Sequence, residues 1–93
     1  MHQVVVSPKA EEAYLAILDY YYHLSIDFAL KLEENLDQLI ENLRRFKKLC
    51  PPAQTFPNLR RCVLTENISL IYRIEGNVIH IVSFFDSRTD HLF

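Results

Sequence analysis

A chain of 93 residues is long enough for one hydrophobic core and too short for two, so we expect a single domain over residues 1–93. Its 49% of apolar residues excludes a disordered chain, and its one glycine argues against the glycine-rich loops that bind nucleotide phosphates. The net charge is −2. With no signal peptide and no apolar run of membrane-spanning length, the sequence predicts a cytoplasmic protein without a membrane partner.

The first half of the chain predicts one short strand and two helices. Gln3–Val6 is rich in β-branched residues, and Ser7 and Pro8 then provide the N-cap and first turn of a helix. Its apolar stripe consists of Ala10, Ala13, Tyr14, Ile17, Leu18, Tyr21 and Leu24. Ser25 caps a second helix, and the stripe there is Phe28, Ala29, Leu32, Leu36, Leu39, Ile40, Leu43 and Phe46. The connection is so short that the helices must form a hairpin.

The second half predicts three adjacent strands. Cys50-Pro51-Pro52 ends the second helix, and the strands follow at Arg60–Thr65, Ile68–Ile74 and Val78–Phe85. Connections this short force an antiparallel meander. The predicted fold is therefore α+β, in the order β-α-α-β-β-β, with a helical hairpin packed on one face of a mainly antiparallel four-stranded sheet.

Turns at Glu66-Asn67 and Gly76-Asn77 set the expected register of the meander. Counting outward predicts the pairs Arg60–Arg73, Cys62–Ile71, Arg73–His80, Ile71–Val82 and Ser69–Phe84. The core face then carries Val63, Ile68, Leu70, Tyr72, Ile74, Ile79, Ile81 and Phe85. The outer face carries Arg60, Cys62, Leu64, Ser69, Ile71, Arg73, His80, Val82 and Phe84.

This register predicts a cationic row of Arg60, Arg73 and His80 on the outer face, suited to a phosphate or a carboxylate. The alternatives are arginines paired with Glu66, Glu75 or Asp90, or arginines extended into water. A three-residue loop with a bulge at Gly76 would instead move His80 to the core face. Residues 1–43 have a net charge of −6, and residues 44–93, which contain the meander, have a net charge of +4. The basic half could face nucleic acid or an acidic peptide. The alternative is that these charges are ordinary solvated side chains.

The cysteines and histidines predict neither a disulfide framework nor a metal site. Cys50 and Cys62 are not in a C-x-x-C motif, and buried reduced thiols are the expectation. The four histidines are scattered through the sequence. We therefore expect no metal and no other cofactor.

Over nearly its whole length the chain resembles the RelE/ParE toxins of bacterial type II toxin–antitoxin systems. The features that carry the resemblance are the opening strand with Ser7-Pro8-Lys9-Ala10, the run Asp19-Tyr20-Tyr21-Tyr22, Leu59–Leu64, Leu70–Ile74 and Ile79–Asp90. The resemblance implies a plasmid-stabilisation type of toxin that is neutralised by a cognate antitoxin, as a homodimer or in a toxin–antitoxin heterotetramer.

Members of this family divide by target. RelE-like members cleave messenger RNA in the ribosome without a metal, and ribosome-dependent cleavage is the function predicted here. The alternatives are ParE-like inhibition of DNA gyrase without nuclease activity, and an inactive toxin-like module that acts as a co-repressor.

By resemblance, the candidate catalytic residues are Arg60, Arg73, Arg88 and His91. Arg88 matches the arginine that cleaving members place after the last strand, and Arg60 lies on a strand where they carry basic residues. Ser69 stands where cleaving members hold an arginine, so the catalytic set is incomplete. Arg73 is the candidate electrostatic substitute for that arginine, and His91 is the candidate proton shuttle. The residues expected to contact antitoxin or target are Arg61, His80, Tyr20, Tyr22 and Phe84.

Overall fold

A computed structural model describes residues 1–88 of the chain. Its elements are β1 (Gln3–Val6), α1 (Pro8–Leu24), α2 (Ile26–Arg45), β2 (Arg60–Val63), β3 (Ile68–Glu75) and β4 (Val78–Asp86). Both the order β-α-α-β-β-β and the α+β class are confirmed. Within residues 1–88, no helix combines the length and apolar character needed to cross a membrane.

The four strands form one mixed sheet in the order β1-β4-β3-β2. Strand β1 runs parallel to β4, while β4–β3 and β3–β2 are antiparallel. Parallel strands need a long connection. In the sequence, the helical hairpin lies between β1 and the meander, and it supplies that connection. The last strand is therefore internal to the sheet, with β1 on one side and β3 on the other.

Serine caps shape the helical hairpin as predicted. Ser7 Oγ accepts a hydrogen bond of 3.1 Å from the Ala10 amide, and Ser25 Oγ accepts one of 3.2 Å from the Phe28 amide. The Ser25 amide also donates to the Tyr21 carbonyl at 2.7 Å. One residue thus ends α1 and begins α2, so the chain reverses within a single position.

The core lies between the helical hairpin and one face of the sheet. Its most deeply buried large side chains come from both layers, and they include Ile17, Leu32, Leu43, Ile68, Leu70, Tyr72, Ile79, Ile81 and Phe84. The Tyr72 hydroxyl donates to the Lys47 carbonyl at 2.7 Å and accepts from the Cys50 amide at 3.3 Å. This buried tyrosine therefore fastens the segment after α2 onto the sheet.

The turn between β2 and β3 differs from the predicted one by a residue. Arg60 pairs with Tyr72 and Cys62 with Leu70, so the predicted pairs Arg60–Arg73 and Cys62–Ile71 are wrong. The Thr65 hydroxyl explains the shift, because it accepts from the Ile68 amide at 3.2 Å and stabilises a longer turn.

A shift of one residue exchanges the two faces of β2. Cys62 and Leu64 are buried in the core, whereas Val63 is 66% exposed on the outer face. Arg61 consequently takes the outer position that was predicted for Arg60.

A bulge in β4 changes the side of the sheet on which Phe84 and Phe85 lie. The Gly76-Asn77 turn is correct, and it aligns Arg73 with His80 as predicted. Farther along, however, Tyr72 pairs with Ile81 but Ile71 with Ser83, so β4 contains one extra residue. The predicted pairs Ile71–Val82 and Ser69–Phe84 are therefore wrong, since Ser69 faces Phe85.

The two predicted faces change accordingly beyond this bulge. Phe84 is buried at 1% exposure, while Phe85 is 38% exposed on the outer face. The expectation of Phe85 in the core and Phe84 outside is thus reversed.

Cys50 and Cys62 form a disulfide, which corrects the expectation of reduced thiols. Their Cα atoms lie 5.3 Å apart, a separation that a disulfide spans readily. The register shift makes this possible, because it turns Cys62 towards the segment that follows α2. The disulfide closes the loop between the second helix and β2.

Candidate functional site

The outer face of the sheet carries an apolar cleft of about 390 Å³. The residues that line it come from the loop before β2 and from all three strands of the meander; they are Ala53, Phe56, Leu59, Arg61, Ile71, Val82, Ser83 and Phe85. Phe56 is 59% exposed. Large apolar side chains held at a surface in this way are characteristic of binding sites.

Arg61 supplies a positive charge beside this apolar surface. It lines the cleft and also a neighbouring depression of about 620 Å³ that extends along the loop to Val63. Its Nε donates to the buried Ser69 Oγ at 3.0 Å across β2 and β3. This hydrogen bond holds the Nε end of the exposed Arg61 guanidinium in place, so its positive charge stays beside the cleft. Arg61 was among the residues predicted to contact a partner.

The predicted cationic row does not form as a row. Arg73 and His80 are opposite each other, but both lie against Glu75, with the Arg73 Nη1–Oε2 distance 3.4 Å and the His80 Nε2–Oε1 distance 3.3 Å. Arg60 is displaced to the other face of β2, where its Nη1 donates to the Cys50 carbonyl at 2.6 Å. The alternative of carboxylate pairing is thus the one observed for Arg73.

Arg88 lies at the other end of β4, in a cluster with Asp86, Tyr21 and Phe28. Asp86 is 1% exposed, and it accepts from the Tyr21 hydroxyl at 2.7 Å and from the Arg88 amide at 2.9 Å. The Arg88 Nη2 donates to the Tyr21 hydroxyl at 2.9 Å. Its Cζ lies 5.3 Å from the centre of the Tyr21 ring and 6.0 Å from that of Phe28, within the range of cation–π attraction.

The cluster orients the Arg88 guanidinium through a buried carboxylate. A carboxylate removed from water needs donors, and Tyr21 from α1 supplies one. Burial raises the pKa of Tyr21, as do the hydrogen bond and charge of Asp86, while Arg88 acts in the opposite direction. The hydroxyl therefore stays protonated and continues to donate to Asp86 while it accepts from Arg88.

The prediction of Arg88 after the last strand is correct, but its hydrogen-bonding partners Asp86 and Tyr21 were not predicted. One local signal existed for Asp86. An aspartate side chain often accepts a hydrogen bond from the backbone amide two residues later, which forms an Asx turn, and Arg88 is two residues after Asp86. No local signal identifies Tyr21, which is 65 residues away from Asp86.

The candidate catalytic residues occupy separate parts of the sheet. His80 and Asp86 are six positions apart on one extended strand, which spans roughly 20 Å at about 3.3 Å per residue. Arg88 thus lies far from Arg73 and His80, and Arg60 is on the opposite face of the sheet from those two. His91 lies outside the residues that the structure describes.

The tyrosines of α1 divide as predicted between core and surface. Tyr21 is buried, whereas Tyr20 and Tyr22 are 47% and 38% exposed. The Tyr22 hydroxyl donates to the Glu33 carboxylate on α2. Phe84, predicted as a contact residue, is instead part of the core.

Replacing Tyr21 with phenylalanine tests the Arg88 cluster. Tyr21→Phe keeps the ring but removes the donor to Asp86 and the acceptor for Arg88, so we expect a loss of about 1–3 kcal/mol in the free energy of unfolding. We also expect the NMR signals of the Arg88 side chain to lose the ring-current shifts that a fixed position produces. Tyr72→Phe is the matched control, since it removes another buried hydroxyl but should leave the Arg88 signals in place. Unchanged Arg88 signals in Tyr21→Phe would contradict the orienting role.

Comparison with known proteins shows one family and one fold. Residues 4–91 match the family described as the ParE toxin of the type II toxin–antitoxin system, parDE. No curated protein matches the chain significantly.

Solved structures of toxins are similar over nearly the whole chain. The chromosomal ParDE system from P. aeruginosa is 22% identical, with a TM-score of 0.76 over 92% of this chain and 96% of that one. The YoeB–YefM complex from Staphylococcus aureus is 18% identical, with a TM-score of 0.62 over 90% and 94%. YafQ from E. coli is 15% identical, with a TM-score of 0.59 over 96% and 97%. At these identities, the structural similarity shows a shared fold.

Proposed function

Because the chain belongs to the ParE toxin family of type II toxin–antitoxin systems, we propose that it arrests growth by binding DNA gyrase rather than by cleaving messenger RNA. In this proposal it acts in the cytoplasm as a single domain over residues 1–93. Its partner is a cognate antitoxin; the similar ParDE and YoeB–YefM structures are of such systems.

The separation of the cationic side chains carries this proposal. Cleavage of a phosphodiester requires an acid, a base and charge stabilisation within hydrogen-bond reach of one phosphate. Here Arg60 is bound to the Cys50 carbonyl, and Arg73 lies against Glu75. The Arg88 cluster, at roughly 20 Å from His80 along β4, is too distant to join them. This arrangement favours binding over catalysis.

The outer sheet face supplies the proposed contact surface. Protein interfaces commonly have aromatic and arginine side chains at their energetic centre. The cleft combines the exposed rings of Phe56 and Phe85 with the positive charge of Arg61. The same combination makes the face suitable for recognising a protein.

Induced expression and purified gyrase together test the proposal. We expect the induced protein to arrest growth and to leave messenger RNA intact, and the purified protein to inhibit supercoiling by gyrase. Phe56→Ala should weaken inhibition by about tenfold or more, because it truncates an aromatic side chain at the centre of the proposed interface. Phe46→Ala is the matched control. Phe46 is 61% exposed but lines neither the cleft nor the neighbouring depression, so inhibition should be unchanged.

Three outcomes would contradict the proposal. Cleaved messenger RNA with normal supercoiling would establish the ribosomal mechanism instead. Absence of growth arrest would favour an inactive co-repressor module. Equal inhibition by Phe56→Ala and the wild type would exclude the cleft as the contact surface.

A further inference from the structure

The Cys50–Cys62 disulfide closes the loop that forms one wall of the sheet cleft. The chain between the two cysteines contributes Ala53, Phe56 and Leu59 to the cleft lining. The remaining lining residues lie in the paired strands β2, β3 and β4, so the loop is the part of the cleft lining that lies outside the sheet. The order of this loop consequently sets the shape of the cleft.

Among residues 1–88, few other hydrogen bonds hold the middle of the loop. The Ala53 amide donates to the Leu59 carbonyl at 2.8 Å, and the Leu59 amide donates to the Phe56 carbonyl at 2.9 Å. At its base, the Arg61 amide donates to the Pro51 carbonyl at 3.1 Å. Two of these bonds form a short antiparallel bridge between the two ends of the loop. An isolated bridge of this kind can open locally without unfolding the protein.

The core has attachments that do not depend on the disulfide. The Tyr72 hydroxyl binds the Lys47 carbonyl, and the Arg60 guanidinium binds the Cys50 carbonyl. The chain therefore remains fastened to the sheet on the helical side of the loop when the sulfur–sulfur bond is broken. Reduction should affect the loop first and the fold second.

We propose that Cys50 and Cys62 form a reversible redox site that controls the cleft: the disulfide holds residues 51–59 as a wall, and reduction by a cellular dithiol releases that wall. Because the disulfide closes the loop, the ordered cleft belongs to the oxidised protein and the loosened cleft to the reduced protein. A reducing compartment favours the reduced protein.

The exchange is a two-electron reaction with a defined order of steps. A thiolate of the dithiol reductant attacks one sulfur, preferentially that of Cys50, which is 8% exposed against 2% for Cys62. The other cysteine leaves as a thiolate and takes up a proton. The second thiolate of the reductant then attacks the mixed disulfide, so the protein gains two thiols and the reductant becomes a disulfide.

This redox site is independent of what the protein inhibits. Its effect on growth, however, depends on the proposed function, because loosening the cleft weakens the toxin only if the target binds there. The tests below therefore measure the loop and the cleft directly, and gyrase inhibition is a separate measurement.

Hydrogen exchange on the intact protein tests the effect on the loop. We expect reduction by dithiothreitol to accelerate exchange of the Ala53, Leu59 and Arg61 amides by about tenfold or more, because these amides lose the restraint of the closed loop. Amides of β4, in the centre of the sheet, exchange through global unfolding, so they should accelerate only by the factor that matches the loss of global stability and should stay far slower than the loop amides in both states. The double variant Cys50→Ala/Cys62→Ala should exchange like the reduced protein and should not respond to dithiothreitol.

Binding of anilinonaphthalene sulfonate tests the effect on the cleft. This probe combines an apolar ring system with an anion, and so matches the apolar lining and the charge of Arg61. We expect the oxidised protein to bind it several-fold more tightly than the reduced protein, as ordering the wall beforehand removes a cost of binding. Phe56→Ala should weaken binding in the oxidised state, and Phe46→Ala should not.

The redox proposal is overturned if air-oxidised protein retains two titratable thiols, if loop exchange is equal in both states, or if reduction strengthens probe binding. If the loop and probe respond as expected but gyrase is not inhibited, the redox site stands and the proposed function is wrong.

Discussion

Phe84→Ala should lower the free energy of unfolding by about 3–5 kcal/mol, the range for truncating a phenylalanine in a packed core. Phe84 is 1% exposed, and its ring centre lies 5.0 Å from that of Tyr14 on α1. The substitution removes this aromatic contact and leaves a cavity between helix and sheet. Small domains are stable by only about 5–15 kcal/mol, so denaturant titration should show a large decrease in the unfolding midpoint.

The adjacent residue provides the control for Phe84→Ala. Phe85 is 38% exposed and lines the outer cleft, so Phe85→Ala should cost less than about 1 kcal/mol. The pair of variants tests the β4 bulge directly. The reverse order of the two losses would restore the unbulged register and contradict the structure.

Removing the disulfide should give the second largest loss of stability. Cys50→Ala/Cys62→Ala opens a loop with a sequence separation of 12, and the chain-entropy model gives about 3 kcal/mol for a loop of this length. For a domain of this size, that corresponds to a decrease in Tm of about 10 °C or more. Alanine is the suitable replacement because Cys62 is buried, and serine would place an additional hydroxyl in the core.

Calorimetry of oxidised protein, reduced protein and the double variant measures this contribution. The wild type in dithiothreitol and the double variant should unfold at similar temperatures, both below the oxidised wild type. A Tm that is the same for all three would show that the disulfide adds no stability.

The helical half of the fold was predictable because its signals are local. Ser7 with Pro8, and later Ser25, mark helix starts through bonds to amides three residues ahead, and periodic apolar residues define the buried face. Alternation likewise located the three strands of the meander. What alternation does not determine is register, since one extra residue exchanges the faces.

Two local details decided the register, and neither is evident from hydrophobic pattern. The Thr65 hydroxyl stabilises a longer turn before β3, and one extra residue enters β4 opposite the bond between Ile71 and Tyr72. Together they moved Cys62 inside and Phe85 outside. The disulfide followed from the first shift, and thus could not be predicted from cysteine spacing.

The site was predictable to the extent that it depends on chain order. Arg88 was located correctly after the last strand, and the pairing of Arg73 with His80 followed from a two-residue turn at Gly76. Tyr21 and Phe56 were missed as site residues, because their positions depend on how a helix and a loop pack against the sheet. Such contacts join residues distant in sequence, and no local pattern encodes them.

The central place of β4 has a consequence for synthesis of the protein. Strand β1 has β4 as its neighbour in the sheet, so it cannot be paired until β4 has left the ribosome. A nascent chain that stops before Val78 would lack the strand that joins β1 to β3. The sheet should therefore become complete only after β4 has been synthesised, and synthesis interrupted before Val78 should release fragments that lack the folded sheet.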